Sequence, residues 1–223
     1  MNRRVIFGAA ALLCSLALAG CAAGTPPAPA PPGGTSVAPI PATGSTSTVP
    51  APAAASSSAL ACAGGSKSAS LTPELTEGPF FKAGSPERSS LLEGNVPGTK
   101  LVITGYVYTA DCQPVAHALL DFWQANASGA YDNSGYSLRG HEYTDATGRY
   151  QLTTIVPGLY TGRTEHIHVK VQAPNGPLIT TQLFFPGVPQ NDSDGIYNPA
   201  LLMVIQKSSD GEQAQYNFVV PAK

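Results

Sequence analysis

The sequence predicts an all-β domain, a β-sandwich of mixed short strands with long loops. Three observations carry that prediction. Runs of β-branched and aromatic residues are short, they are broken often by Gly, Pro, Asn and Asp, and no segment sustains a long 3.6-residue apolar period. The strand candidates in chain order are LVITGYVY (101–108), ALLDFWQA (118–125), RYQLTTI (149–155), EHIHVKVQ (165–172), LITTQLFF (178–185) and AQYNFVV (214–220). NPALLMVIQK (198–207) suits either a short helix or a strand. DATG (145–148) and PGLY (157–160) mark tight, exposed connections around RYQLTTI. Several short strands separated by turn residues, with no internal repeat, fit a single sandwich over residues 62–223.

The chain ahead of that domain has a different composition. Residues 22–61 hold no aromatic and no charged residue and are dense in Pro, Ala, Ser and Thr. Such a stretch buries too little apolar surface to offset its conformational entropy, so a disordered tether is expected. Residues 1–21, MNRRVIFGAAALLCSLALAGC, have the layout of a bacterial export signal, with an apolar run too short to span a bilayer. Its end, Leu18-Ala19-Gly20-Cys21, resembles a lipobox, which implies acylation at Cys21 and a lipid anchor in the cell envelope. Arg3-Arg4 leaves the export route, general or twin-arginine, open. Export leaves Cys62 and Cys112 as an expected disulfide, worth roughly 4 kcal/mol for a loop of about 50 residues.

Charge excludes one class of partner. The formal net charge is −2, and without Arg3 and Arg4 ten basic residues face fourteen acidic ones. With no basic cluster and no aromatic-basic stripe, a nucleic-acid partner is not expected. The sequence carries no signature of an oligomeric state.

The stretch YTGRTEHIHVKV (160–171) is the richest in chemistry. Strand side chains alternate, so Ile167, Val169 and Val171 belong to an apolar face, and His166, His168 and Lys170 share the other. Two imidazoles on one face are able to share a metal ion, but a polar strand face satisfies the same pattern. His117 and His141 have no ligand spacing with the pair, although a three-histidine zinc site through His141 stays open. Tyrosine is the other donor available, at Tyr160 before the strand and at Tyr131 in the loop after ALLDFWQA. A phenol ligates well near neutral pH only where a strongly charged cation displaces its proton, and hard oxygen anions beside imidazoles suit Fe(III).

Taken together, LTPELTEGPFF (71–81), DFWQANASGAY ending at Tyr131, TDATGRY, P-G-x-Y and R-x-x-H-x-H resemble the intradiol ring-cleavage dioxygenases. This is the family of protocatechuate 3,4-dioxygenase and catechol 1,2-dioxygenase, and the motifs stand in family order from about Thr72 to Phe185. The resemblance implies that Tyr131, Tyr160, His166 and His168 ligate a non-haem Fe(III). Tyr131 and His166 would be equatorial, Tyr160 and His168 axial, with a hydroxide as fifth ligand. It further implies that a catechol-type diol binds as a dianion, with Tyr160 taking a proton as a base. Dioxygen then opens the ring between the hydroxyl-bearing carbons to a muconate-type diacid. By the same resemblance Arg163 lies beside the substrate ring and stabilises negative charge, Gln182 hydrogen-bonds near the substrate oxygens, and Gly78 and Pro79 line the pocket. Asp121 and Trp123 serve packing and orientation.

Two departures accompany the match. A tether replaces the helical N-terminal region of the cytosolic enzymes, so their dimer mode does not carry over. Only TGRTE separates Tyr160 from His166, which implies a more open site and resembles the secreted branch of the family. The rival reading is an iron-free transthyretin-like or carboxypeptidase-regulatory-like binding module. Those domains share TDATGRYQL and P-G-x-Y but require neither R-x-x-H-x-H nor Tyr131.

Overall fold

The computed structural model describes residues 59–221; the expected export signal, with Cys21, and all but the last three residues of the expected tether lie outside the described residues. Those three belong to the fold. Ala59 is buried, its carbonyl accepts Asn217 N–H at 2.8 Å, and the carbonyl of Ala61 accepts Asn217 Nδ2 at 2.9 Å. The folded unit thus reaches back past Cys62. Cys62 and Cys112 are joined as a disulfide, with Cα atoms 5.3 Å apart.

Among the described residues nine strands form two sheets. The first contains β1 (Lys100–Tyr108), β4 (Arg149–Ile155), β7 (Val204–Ser208), β8 (Gly211–Gln215) and β9 (Phe218–Val219), in the order β4-β1-β8-β7 with β9 beside β1. It is mixed, because β1 runs antiparallel to β4 and parallel to β8 and β9. The second sheet is antiparallel throughout, in the order β3-β2-β5-β6: β2 (Leu119–Trp123), β3 (Arg139–Tyr143), β5 (His166–Gln172) and β6 (Leu178–Phe184). Alternate side chains of both sheets meet in one core that includes Leu101, Ile103, Leu120, Phe122, Leu152, Ile167, Val169 and Leu183, all fully buried. Each such side chain contributes about 1.5–3 kcal/mol.

The all-β expectation holds, with local differences. AQYNFVV is two strands rather than one. At Asn217 the ladder is interrupted, and its side chain takes over by accepting Tyr106 N–H. NPALLMVIQK divides into a short 3-10 turn at Pro199–Leu201 and strand β7, because Pro199 and the Asn198 cap start a turn that cannot continue. RGHEY, unselected by periodicity, is β3, held by its pairing with β2. PGLY is only partly exposed, since Pro157 is buried while Leu159 faces solvent.

Strand β5 shows the predicted alternation, yet its second face is not wet. His166, His168 and Lys170 are 4%, 3% and 8% exposed. An irregular segment, residues 72–82, lies over this face and replaces water with specific partners. Leu75 N–H donates to Thr180 C=O and Gln182 Nε2 to Thr76 C=O, while Thr181, on the opposite face of β6, anchors the start of the segment through Oγ1 to Pro73 C=O. Glu77 pairs with Lys170 Nζ at 2.5 Å, and that ammonium also sits over the Phe81 ring. Buried charge is tolerated here because it is paired and hydrogen-bonded, Thr180 Oγ1 adding a third contact.

Glu142 is a buried acid of a different kind. It stands opposite Leu120 on the inner face of β3, one carboxylate oxygen accepts a long 3.4 Å bond from Gln151 N–H, and the other has no partner. Burial pushes its pKa up from 4.5 to about 7. Ionisation therefore opposes folding: the penalty is absent below pH 4.5, grows between pH 4.5 and about 7, and is constant above. Glu142→Gln should accordingly gain stability relative to the parent by about 3 kcal/mol on going from pH 4 to pH 8. Denaturant unfolding of both proteins at pH 4, 6 and 8 measures this, and a pH-independent difference would refute it.

Candidate metal centre

The outer face of the second sheet assembles the site by register. His168 stands between Trp123 on β2 and Gln182 on β6, and His166 faces Phe184. The indole of Trp123 stacks on the His168 ring at 4.7 Å with planes 10° apart, which fixes that imidazole. The two imidazoles lie 4.8 Å apart, edge to face. His166 Nδ1 meets the carbonyl of Thr164 at 2.6 Å, so Nδ1 carries the proton and the Nε2 lone pair is free. That Nε2 lies 3.2 Å from Tyr131 Oη.

Two loops deliver the tyrosines. Tyr131 is bracketed by two side-chain-capped turns. Asn126 Oδ1 accepts Ser128 and Ala130 N–H, and Asp132 accepts Ser134, Gly135 and Ser137 N–H. The Arg139 guanidinium donates to the carbonyls of Asp132 and Phe80, tying this loop to the covering segment. Tyr160 follows β4 and is held against the same loop at Gly129, whose φ is +81° and where a Cβ would meet Leu159 C=O at 2.1 Å. Phe80 closes the group, stacked on Tyr131 at 4.3 Å and edge-on to Tyr160 at 5.2 Å. Tyr131 and Tyr160 lie 5.9 Å apart, and Tyr131 and His168 6.3 Å. The four expected residues thus belong to one cluster of rings.

The remaining expected residues surround them. Arg163 donates from Nη2 to Gln182 Oε1 at 2.6 Å and from Nε to Asp194 at 2.9 Å. Gly78 lies against His168, its Cβ direction 3.5 Å from the ring. Pro79 lines a cavity with Phe80, Phe81, Lys82, Asn133 and Arg139. Tyr160 and Arg163 line another, of about 380 Å³, with Leu159, Thr161, Gly162, Gln190 and Ser193. Thr161 and Gly162 of the short TGRTE link are exposed there. A cavity of about 540 Å³ beneath residues 60–73 holds none of the expected donors. His117 and His141 pack around Tyr143 instead of joining the pair, which removes the three-histidine zinc site.

Electrostatics define what the group is able to hold. Burial pulls His166 down to about 4 and His168 well below the ordinary histidine value, so both imidazoles are neutral. Burial pushes the Tyr131 phenol up to about 12, against the lowering influence of Arg163 and Arg139. Ionising it requires a cation of high charge in contact. Among the described residues no three His, Cys, Asp or Glu side chains are placed to hold a metal. Only the tyrosine oxygens complete a donor set, and two imidazoles with two phenolates fit a hard trivalent ion. His168 Nδ1 is buried without a hydrogen-bond partner.

Sequence reasoning missed Asp194, Asn191, Arg139 and the Glu77–Lys170 pair. A lone loop acid or strand arginine has no distinguishing spacing; Phe80 at least lay within the quoted TEGPFF. Gly78 has φ +70°, where a Cβ costs about 1–2 kcal/mol. Gly78→Ala should lower stability by that amount in denaturant unfolding, and an unchanged midpoint would show that the segment relaxes freely.

Comparison with known proteins bears on this geometry. The Dioxygenase family model, Dioxygenase_C, matches residues 76–220, more than half of the chain. Catechol 1,2-dioxygenase 2 of Acinetobacter lwoffii is 35% identical over 144 residues, covering 53% of this chain and 52% of that protein. The chain spans about half the length of the curated relatives it matches. Among solved structures, the dioxygenase domain of a dioxygenase carbohydrate-binding protein fusion from Streptomyces sp. SirexAA-E is 49% identical, with a TM-score of 0.68, covering 69% of this chain and all of that one. An intradiol ring-cleavage dioxygenase from Tetranychus urticae is 26% identical with a TM-score of 0.63, covering 69% and 95%. The match begins in the segment that roofs the histidines and runs through both sheets, and by it this chain belongs to the intradiol ring-cleavage dioxygenase family.

Proposed function

We propose that this protein is a non-haem Fe(III) dioxygenase that opens catechol-type aromatic diols between the two hydroxyl-bearing carbons with O2, giving muconate-type diacids. The observation that carries the reading is the convergence of Tyr131, Tyr160, His166 and His168, with Arg163 and Gln182 beside them. Relatives named catechol, chlorocatechol and hydroxyquinol 1,2-dioxygenase support it over an iron-free binding module.

In this reading the two tyrosines and two histidines hold the iron, which when bound supplies Lewis acidity toward the diol and a partner for O2. The protein's own part is positioning and charge. The Thr164 carbonyl keeps the proton of His166 on Nδ1 and leaves Nε2 to the metal. Tyr160 Oη accepts a proton from the entering diol. The Arg163 guanidinium lies where negative charge gathers on the ring, and Gln182 is held to Thr76 and Arg163 within reach of the substrate oxygens. Gly78 against His168 and Phe80 against Tyr131 shield that side of the site from water, and Pro79 lines the adjoining cavity.

Protein produced with iron should be red-brown from tyrosinate-to-iron charge transfer and should consume O2 with catechol. Tyr160→Phe should shift the visible band and slow turnover, and His166→Ala should lose the metal. A colourless, iron-free parent would sink the reading, and full iron content in His166→Ala would remove that histidine from the centre. An oxygen-uptake screen over catechol, substituted catechols, hydroxyquinol and protocatechuate assigns the preferred diol.

The proposal extends to export and lipid anchoring at Cys21, on the strength of the 18–21 tetrad. Radiolabelled palmitate should enter the parent and not Cys21→Ala, and the variant should leave the membrane fraction. Equal labelling of the two would count against an anchor at that cysteine.

A further inference from the structure

The turn at Pro189–Asp192 and the residues after it touch the site without supplying any expected ligand. Asn191 in the turn and Asp194 just after it reach Arg163 and Thr164, ahead of β5. Asp194 is 2% exposed at its side chain, and its Oδ2 accepts both Arg163 Nε–H and Thr164 N–H at 2.9 Å. Asn191 Oδ1 accepts the Thr164 hydroxyl at 2.6 Å, and its Nδ2 is fixed on Phe185 C=O. Thr164 is completely buried, and its carbonyl is the acceptor that orients His166. One turn therefore grips the segment from which both the guanidinium and a histidine project.

We propose that Asp194 is the positioning residue for Arg163, a reading that rests on the site being the diol-cleaving centre described above. A guanidinium has five N–H donors in a rigid plane, so fixing one edge fixes the rest. With Nε on Asp194 and one Nη2 hydrogen on Gln182, the plane is set by two contacts, and the other hydrogens remain for a ligand. Arg163 lines the cavity next to Tyr160, and Gln190 and Ser193 of the same turn form its far wall. Freed from Asp194, a side chain with four rotatable bonds would sample many orientations, and the charge would no longer be preorganised toward the ring. Asp194 does have a bland role as well, because its Oδ1 caps its own turn at Ile196 N–H. Asp194→Asn keeps the cap on Ile196 but puts an NH2 group in place of Oδ2, so it releases Arg163 Nε–H and Thr164 N–H together. The Arg163→Gln background separates these two effects, because the Thr164 loss persists there and the clamp loss does not.

The test compares the full-length, iron-loaded parent with Asp194→Asn, Arg163→Gln and the double variant. Asp194→Asn should lower kcat/KM for catechol by ~10- to 100-fold, mainly through kcat, with iron content near that of the parent and a melting temperature lowered by the lost Thr164 bond. In the Arg163→Gln background the same change should cost less than about twofold, because the residue it acts through is gone. Losses that multiply in the double variant, or a parent-like kcat/KM in Asp194→Asn, would overturn the proposal. A second readout needs no turnover. In the full chain supplied with diamagnetic Ga(III), the Arg163 Nε–H should exchange slowly with solvent in the parent and rapidly in Asp194→Asn. Equal exchange in the two overturns the clamp even if the parent opens no ring, whereas an inactive parent with the expected exchange contrast sinks only the diol-cleaving reading. Should Asp194→Asn fail to accumulate, Asp194→Ser, which also removes the carboxylate, replaces it under the same outcomes.

Discussion

The second face of strand β5 must be dry, and most of the architecture follows from that requirement. Its first face meets the other sheet through Ile167, Val169 and Val171. Its second face carries two imidazoles and an ammonium, groups that favour water unless partners replace it. The fold supplies those partners from three directions: Trp123 from β2, Gln182 and Thr180 from β6, and the segment 72–82 from above. A polar cluster enclosed in this way has neutral histidines and a phenol that resists ionisation.

Much of this was legible in the residues, and the legible part has a common physical origin. Strand alternation is local, so the shared direction of His166 and His168 could be read without any structure. The turn chemistry around Tyr131 and Tyr160 is local too. What eluded the sequence was long-range. β3 exists because β2 pairs with it, since RGHEY has no apolar alternation of its own. The enclosure of the histidine face comes from residues ninety positions earlier in the chain, and no periodicity announces which irregular segment will cover which strand. Asp194 and Arg139 became meaningful only once their carbonyl, amide and guanidinium partners were known.

The polar connections form a hierarchy around the two tyrosine loops. Asn126 and Asp132 shape the backbone on either side of Tyr131, Arg139 fastens that loop to Phe80, and Gly129 lets the Tyr160 loop press against it. The aromatic rings then pack stacked and edge-on, with little freedom to turn. Geometry at the centre is therefore a property of loops, but of loops tied down by side-chain hydrogen bonds.

The cross-link between Cys62 and Cys112 lies at the other end of this arrangement, where the chain enters the fold. Ala59 and Ala61 are gripped there by Asn217, and the disulfide joins the entry to the turn after β1. A tug on the chain ahead of Ala59 is therefore carried into the β1 turn by a covalent bond. It does not travel along the backbone into residues 72–82. Reduction of that bond would leave the hydrogen bonds of Asn217, Ala69 and Thr72 as the remaining ties between the entry and the segment over the histidines.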